Sequence, residues 1–74
     1  MSIKRLTALI TREEDAYVAL CPELDVASQG ESVEAARKNL TEAVELFLQT
    51  ADQAEISARL SGEVFVTSLE VAFA

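Results

Sequence analysis

The chain has 74 residues, 50% of them hydrophobic, and its six basic and thirteen acidic residues give a formal net charge of −7. This length allows one small domain, spanning residues 1–74, and the negative charge disfavours direct binding to a nucleic-acid backbone. Histidine is absent and there is a single cysteine, which excludes the commonest general base and an internal disulfide. No apolar run is long enough for a membrane span or a signal peptide, so we expect a cytoplasmic protein with no membrane partner.

The first part of the chain predicts a β-hairpin. Residues 3–12 alternate between apolar and mixed positions, as in a strand with one buried face. The polar break at 12–15 has the length of a hairpin turn, and residues 16–21 predict the return strand. Alternate residues of a strand share a face. The two sets in this strand are Ala16, Val18 and Leu20 on one side and Tyr17, Ala19 and Cys21 on the other.

A turn, a short strand and an amphipathic helix follow. Pro22 fixes its own φ and interrupts the strand, and residues 25–29 predict a third strand that ends at Gly30. Ser32 is a good N-cap, and from there to about residue 51 apolar residues recur at steps of three and four. This spacing predicts a helix with one buried face.

The remaining elements complete an α+β domain. Residues 54–60 predict a further helical turn, and the alternation of β-branched and aromatic residues over 63–73 predicts a fourth strand. The order β-β-β-α-β predicts a three-stranded antiparallel meander with one helix packed on one face of the sheet. A right-handed crossover would then deliver the fourth strand parallel to the first and beside it, giving the order 3-2-1-4.

One helix can cover only one face of such a sheet. The other face is then too apolar to stay in water, and a second copy of the chain is the simplest cover. We therefore predict a homo-oligomer. The residues predicted on the open face are Leu9, Tyr17, Ala19 and Cys21.

The sequence shows no catalytic, metal or cofactor site. Cys21 has no imidazole to activate it and is expected to be a small buried residue. Asp15, Glu23 and Asp25 lie near predicted strand ends, where carboxylates could hold Mg²⁺, but their spacing is not diagnostic. With two glycines, the chain cannot build a glycine-rich phosphate loop. We expect a protein that is not an enzyme, and a metal-dependent nuclease is the weakest alternative.

Acidic residues instead predict a surface for a basic protein partner, because opposite charges steer association. One candidate patch is the hairpin tip and the other is the outer face of the helix, where an off-pattern leucine could act as an apolar anchor. The alternatives are that the charge serves solubility and that the leucine is exposed by chance. The residues of the two patches are Glu13, Glu14, Asp15, Glu42, Glu45 and Leu46.

A set of short motifs occurs in a fixed order between residues 16 and 48. The motifs are Tyr17, Pro22-Glu23-Leu24, Gly30, the helix cap Ser32, and Asn39-Leu40-Thr41-Glu42-Ala43. In this order and spacing they resemble the HicB-like antitoxin family, and the predicted strands at 3–12 and 63–73 extend the resemblance over nearly the whole chain. In place of the Pro-Gly-Cys that often follows the family's Pro-Glu-Leu, this sequence has Asp25-Val26-Ala27.

The resemblance implies a partial ribonuclease-H-like β-β-β-α-β fold and a role without catalysis. Such a protein is the antitoxin of a type II toxin–antitoxin system, is typically oligomeric, and masks HicA, a small basic toxin that cleaves mRNA with a histidine. Many family members continue into a DNA-binding domain that this sequence does not show, so we expect the single-domain form without operator binding. The alternative function is a stand-alone structural or regulatory oligomer without a toxin partner.

Overall fold

The computed structural model describes residues 4–74, which form a three-stranded antiparallel sheet followed by two helices. The strands occur in the order β1-β2-β3, so the predicted meander is confirmed. The elements are β1 (Leu9–Glu13), β2 (Ala16–Cys21), β3 (Val26–Gly30), α1 (Val33–Thr50) and α2 (Gln53–Leu60).

The hairpin between β1 and β2 has a two-residue turn. Glu13 pairs with Ala16, which leaves Glu14 and Asp15 as the turn, and Leu9 pairs with Leu20 at the other end. The first strand is therefore shorter than predicted: residues 4–8 belong to no strand, and residue 3 lies outside the described residues.

The predicted faces of β2 are wrong. The core consists of Ala19, Cys21, Leu24, Ala36 and Leu40, so the set that contains Ala19 and Cys21 faces α1. Tyr17 belongs to the same set and packs against this core. Of the four residues predicted on the open face, only Leu9 lies there, opposite Leu20.

The helix α1 approaches the sheet most closely at Gly30. A Cβ atom added there would lie 2.5 Å from the backbone nitrogen of Ala36, so helix and strand almost touch. On the neighbouring strand the small side chains of Ala19 and Cys21 are buried in the core, and the larger Tyr17 of the same set, which pairs with Gly30, is half-buried against it. Val18 and Leu20 belong to the other set and lie on the open face, since a shift of one position exchanges the two sets completely.

The two helices begin and end close to the predicted bounds. The Ser32 hydroxyl accepts a hydrogen bond from the backbone N–H of Ala35 at 3.0 Å, which confirms the predicted N-cap of α1. The second helix begins after Asp52, whose carboxylate accepts a hydrogen bond from the backbone N–H of Glu55 at 2.8 Å. Within residues 4–74, neither helix is long and apolar enough to cross a membrane.

Residues 63–74, which we call the C-terminal arm, form no strand in the described sheet. Every arm residue is exposed. The radius of gyration is 14.4 Å, whereas a compact domain of this length has about 11 Å. A fourth strand beside β1 is therefore not part of the described single chain, because the arm has no neighbour with which to form a hydrogen-bonded ladder.

Candidate partner-binding surfaces

The hairpin tip presents three exposed carboxylates, those of Glu13, Glu14 and Asp15. Glu14 has a φ of +55°, in the left-handed region that favours glycine or asparagine. The Arg12 guanidinium donates a hydrogen bond to the Glu14 carbonyl oxygen at 3.3 Å and lies 6.0 Å from the centre of the Tyr17 ring. An acidic side chain thus occupies a backbone position where glycine would be more stable.

A second acidic patch lies on the outer face of α1. Glu42, Glu45 and Leu46 are three and four residues apart and form one ridge, which we call the acidic ridge. Leu46 is 60% exposed. The ion pairs within residues 4–74 are Arg37–Glu34 and Arg59–Glu55. Neither glutamate of the ridge forms an ion pair in this part of the chain.

The helix dipole does not favour the acidic ridge. Acidic residues favour the N-terminal end of a helix dipole, as Glu34 does in the first turn of α1. The ridge instead lies in the C-terminal half, and the last turn of α1 contains no basic residue. The helix dipole therefore does not explain the positions of Glu42 and Glu45.

The structure does not bring the two acidic patches together. The hairpin tip lies at the end of the sheet where β3 ends, because Tyr17 pairs with Gly30. The helix begins near this end at Val33, and Glu42 is nine residues further along, or about 14 Å at the helical rise. A partner must therefore be broad to contact both patches at once.

The Pro-Glu-Leu turn anchors the chain that precedes β1. The Glu23 carboxylate accepts hydrogen bonds from the backbone N–H of Thr7 at 3.1 Å and from its hydroxyl at 2.5 Å. Burial opposes the charge of Glu23, but these hydrogen bonds outweigh it and lower the pKa of the carboxyl. Glu23 therefore has a structural role. In the part of the chain that the structure describes, no group of three or more His, Cys, Asp and Glu side chains could hold a metal ion.

Cys21 lies next to this turn and is 1% exposed. Burial raises the pKa of its thiol, and the neighbouring Glu23 carboxylate, 3.5 Å from the sulfur, raises it further. The thiol is therefore neutral and shielded at physiological pH, which is unsuitable for a nucleophile. The expected burial of Cys21 is confirmed.

Arg59 joins α2 to the rest of the molecule, a role that the sequence does not reveal. Its guanidinium donates a hydrogen bond to the carbonyl oxygen of Leu24, pairs with Glu55 at 2.9 Å, and lies 4.7 Å from the centre of the Phe47 ring. The spacing of Glu55 and Arg59 could have indicated their ion pair. The contacts with Leu24 and Phe47 depend on tertiary structure alone.

A groove runs between α1 and residues 4–8, which lead into β1. Its volume is about 410 Å³. Apolar side chains line most of it, namely Leu6, Ala8, Leu40, Val44 and Leu48. Lys4, Arg37 and Glu45 also line it, so one end of the groove adjoins the acidic ridge. Sequence patterns did not predict this groove, because they predicted that residues 4–8 lie within a strand.

The fold and its surfaces define a small α+β domain, in which a three-stranded antiparallel sheet is covered on one face by α1. The chain is similar to a UPF0150 protein of Helicobacter pylori, with 34% identity over 70 residues that cover 93% of this chain and 97% of the relative. The chain belongs to the UPF0150 family. No family model and no solved structure matches it.

Proposed function

We propose that the protein is an antitoxin of a type II toxin–antitoxin system, which neutralises a small basic mRNA-cleaving toxin by covering its surface. The UPF0150 relative agrees with the resemblance to HicB-like antitoxins, since UPF0150 is the HicB-like family. The proposed activity is binding without catalysis or cofactor, to a toxin of the HicA type.

The observation that carries the proposal is the acidic ridge. Glu42 and Glu45 lie in the half of α1 where negative charge does not favour the helix, and they flank an exposed leucine. Of the thirteen acidic residues, only Glu23 is not exposed, so nearly all of the negative charge faces solvent. A surface of this kind attracts a positively charged protein and disfavours RNA.

The proposed mechanism is competition for the toxin's RNA-binding surface. An enzyme that cleaves mRNA needs a basic face to hold the phosphate backbone. Carboxylates of the acidic ridge would pair with that face, and Leu46 would provide an apolar contact at the centre of the charged patch. Glu14 at the hairpin tip would add a second acidic contact for a broad partner.

The test is to mix the purified protein with the product of an adjacent reading frame that encodes a small basic protein. We expect a stable complex by size-exclusion chromatography, and protection of a reporter RNA from cleavage at equimolar protein. Absence of a complex together with unprotected RNA would refute the proposal.

Charge reversals locate the contact surface. Glu45→Lys should slow association about tenfold at low ionic strength, and added salt should reduce the difference. Glu31→Lys is the matched control, because it makes the same charge change at an exposed residue before α1. Equal association rates for the two variants would remove the acidic ridge from the interface.

The second candidate function is a stand-alone structural or regulatory oligomer. The exposed apolar side chains of the C-terminal arm favour it, because they suit contact between copies rather than contact with a basic partner. A genome with no small basic reading frame beside the gene, and an oligomer purified from native cells without a second protein, would support this candidate.

A further inference from the structure

The C-terminal arm is a strand-like sequence that has no place in its own fold. We propose that the arm of one copy pairs with the outer edge of β1 in a second copy, so that two chains exchange arms and complete each other's sheets. This inference does not depend on the proposed toxin. In this arrangement each sheet is complete only when the arm of the second copy is in place.

The exposure of the arm is the first observation. Phe65 is 81% exposed, Leu69 84% and Phe73 91%, although an apolar groove and an unpaired strand edge are present in the same molecule. The longest dimension of the chain is 49 Å, which together with the large radius of gyration shows that the arm projects from the body. A projecting strand with large apolar side chains is suited to pairing with another molecule.

The available area agrees with a stable dimer. Burying a large apolar side chain removes about 100 Å² from water, and four of the six exposed large apolar side chains of each arm share one face of a strand. Two arms together with the surfaces that they cover therefore bury about 1,600 Å², the usual size for specific interfaces. The four side chains are Phe65, Leu69, Val71 and Phe73.

Charge favours the edge of β1 over the edge of β3. The arm contains Glu63 and Glu70 and no basic residue. Residues 4–15, which include β1, carry Lys4, Arg5 and Arg12 against the three acidic residues of the hairpin tip, so their net charge is zero. Residues 25–31, which include β3, carry Asp25 and Glu31 and no basic residue, so this edge would repel the arm more strongly.

The spacing of these charges also matches. Glu63 and Glu70 are seven residues apart, and so are Arg5 and Arg12. Residues 5–8 belong to no strand in the single chain, so both glutamates face both arginines when pairing with the arm, in either direction, extends β1 back to Arg5. The groove between α1 and residues 4–8, which lead into β1, would receive the apolar side chains on one face of the arm.

The mass in solution tests the exchange. Light scattering of the full chain should give twice the single-chain mass of 8.0 kDa. Phe65→Glu combined with Leu69→Glu should convert the dimer to a monomer that keeps its helical circular-dichroism signal, because both residues lie outside the folded body. Leu46→Glu is the control, since it removes another exposed leucine and should leave the dimer intact. A monomeric wild-type protein, or a dimer that survives the double change, would overturn the proposal.

Cross-linking separates exchange between copies from folding within one copy. In the matched register Thr11 faces Leu69 if the strands are parallel and Val64 if they are antiparallel. One protein carrying Thr11→Cys is mixed with another carrying Leu69→Cys or Val64→Cys and then oxidised, while Cys21 remains buried and unreactive. A mixed cross-linked dimer is expected. A cross-link that forms only when both cysteines are in one chain, or a dimer that forms none, would refute the exchange.

Discussion

We predict that Gly30 is the position at which adding a side chain disturbs the packing most. Its φ is negative, so the glycine is not required by a left-handed turn. An added Cβ would lie 2.5 Å from the backbone nitrogen of Ala36 and 2.7 Å from the carbonyl carbon of Ala35. Both atoms belong to the backbone of α1, so the helix itself must move to accept even a methyl group.

Gly30→Ala should therefore destabilise the protein. Overpacking against a rigid neighbour costs about 3 kcal/mol, and the lower entropy of the unfolded alanine chain returns up to about 1 kcal/mol. The expected net loss of about 2 kcal/mol is a large part of the total of roughly 4 to 11 kcal/mol for a chain of this length. It corresponds to a fall in Tm of about 10 °C.

The assay is thermal and urea unfolding followed by circular dichroism, with every variant at one protein concentration because association also stabilises. Gly62→Ala is the matched control, since the nearest atom to its added Cβ is the Arg59 carbonyl oxygen at 3.9 Å. It should be neutral or slightly stabilising. Equal Tm values for the two variants would show that the close approach of α1 to β3 does not determine the packing.

Three further predictions concern caps, contacts and pH. Ser32→Ala removes the N-cap of α1 and should cost about 1 kcal/mol in urea unfolding; an unchanged midpoint would show that the cap is not needed. Arg59→Met removes the hydrogen bond to the Leu24 carbonyl and should cost about 2 kcal/mol, with faster hydrogen exchange confined to α2; uniform acceleration would contradict this. The lowered pKa of Glu23 means that its contribution is present above the ordinary value of 4.5 and is lost as the pH falls below it. Thr7→Val removes the hydroxyl that donates to Glu23, so the free energy of unfolding should fall less steeply as the pH is lowered. An unchanged pH dependence would argue against the hydrogen bond as the cause of the lowered pKa.

The local elements could be predicted from sequence because their signals are local. Ser32 and the apolar spacing after it define α1, and the polar break before Ala16 defines the hairpin. The faces of β2 could not be predicted in this way, since both alternating sets are apolar. The choice between them depends on which face of the sheet α1 covers, which is a property of the packed structure.

Some features of the candidate sites could also be predicted from sequence, and others depend on tertiary structure. The exposure of Leu46 and of the acidic residues follows from helix geometry and charge, and the structure places them at the surface as expected. The groove between residues 4–8 and α1 and the contacts of Arg59 join residues far apart in the chain, so no local pattern indicates them. The alternation of residues 63–73 predicts a strand, but a strand also needs a neighbour, and alternation does not say which chain provides it.

The way in which α2 is attached has a mechanical consequence for the arm. The arm follows α2 after a short connection, and α2 has no buried residue of its own. Tension on the arm therefore reaches the body through Leu60, which packs against the core, and through the contacts of Arg59 with Phe47 and the Leu24 carbonyl. A pulling force on the arm is expected to detach α2 before it disturbs the sheet. The second helix would then serve as a flexible link between the molecule that binds the arm and the rigid sheet.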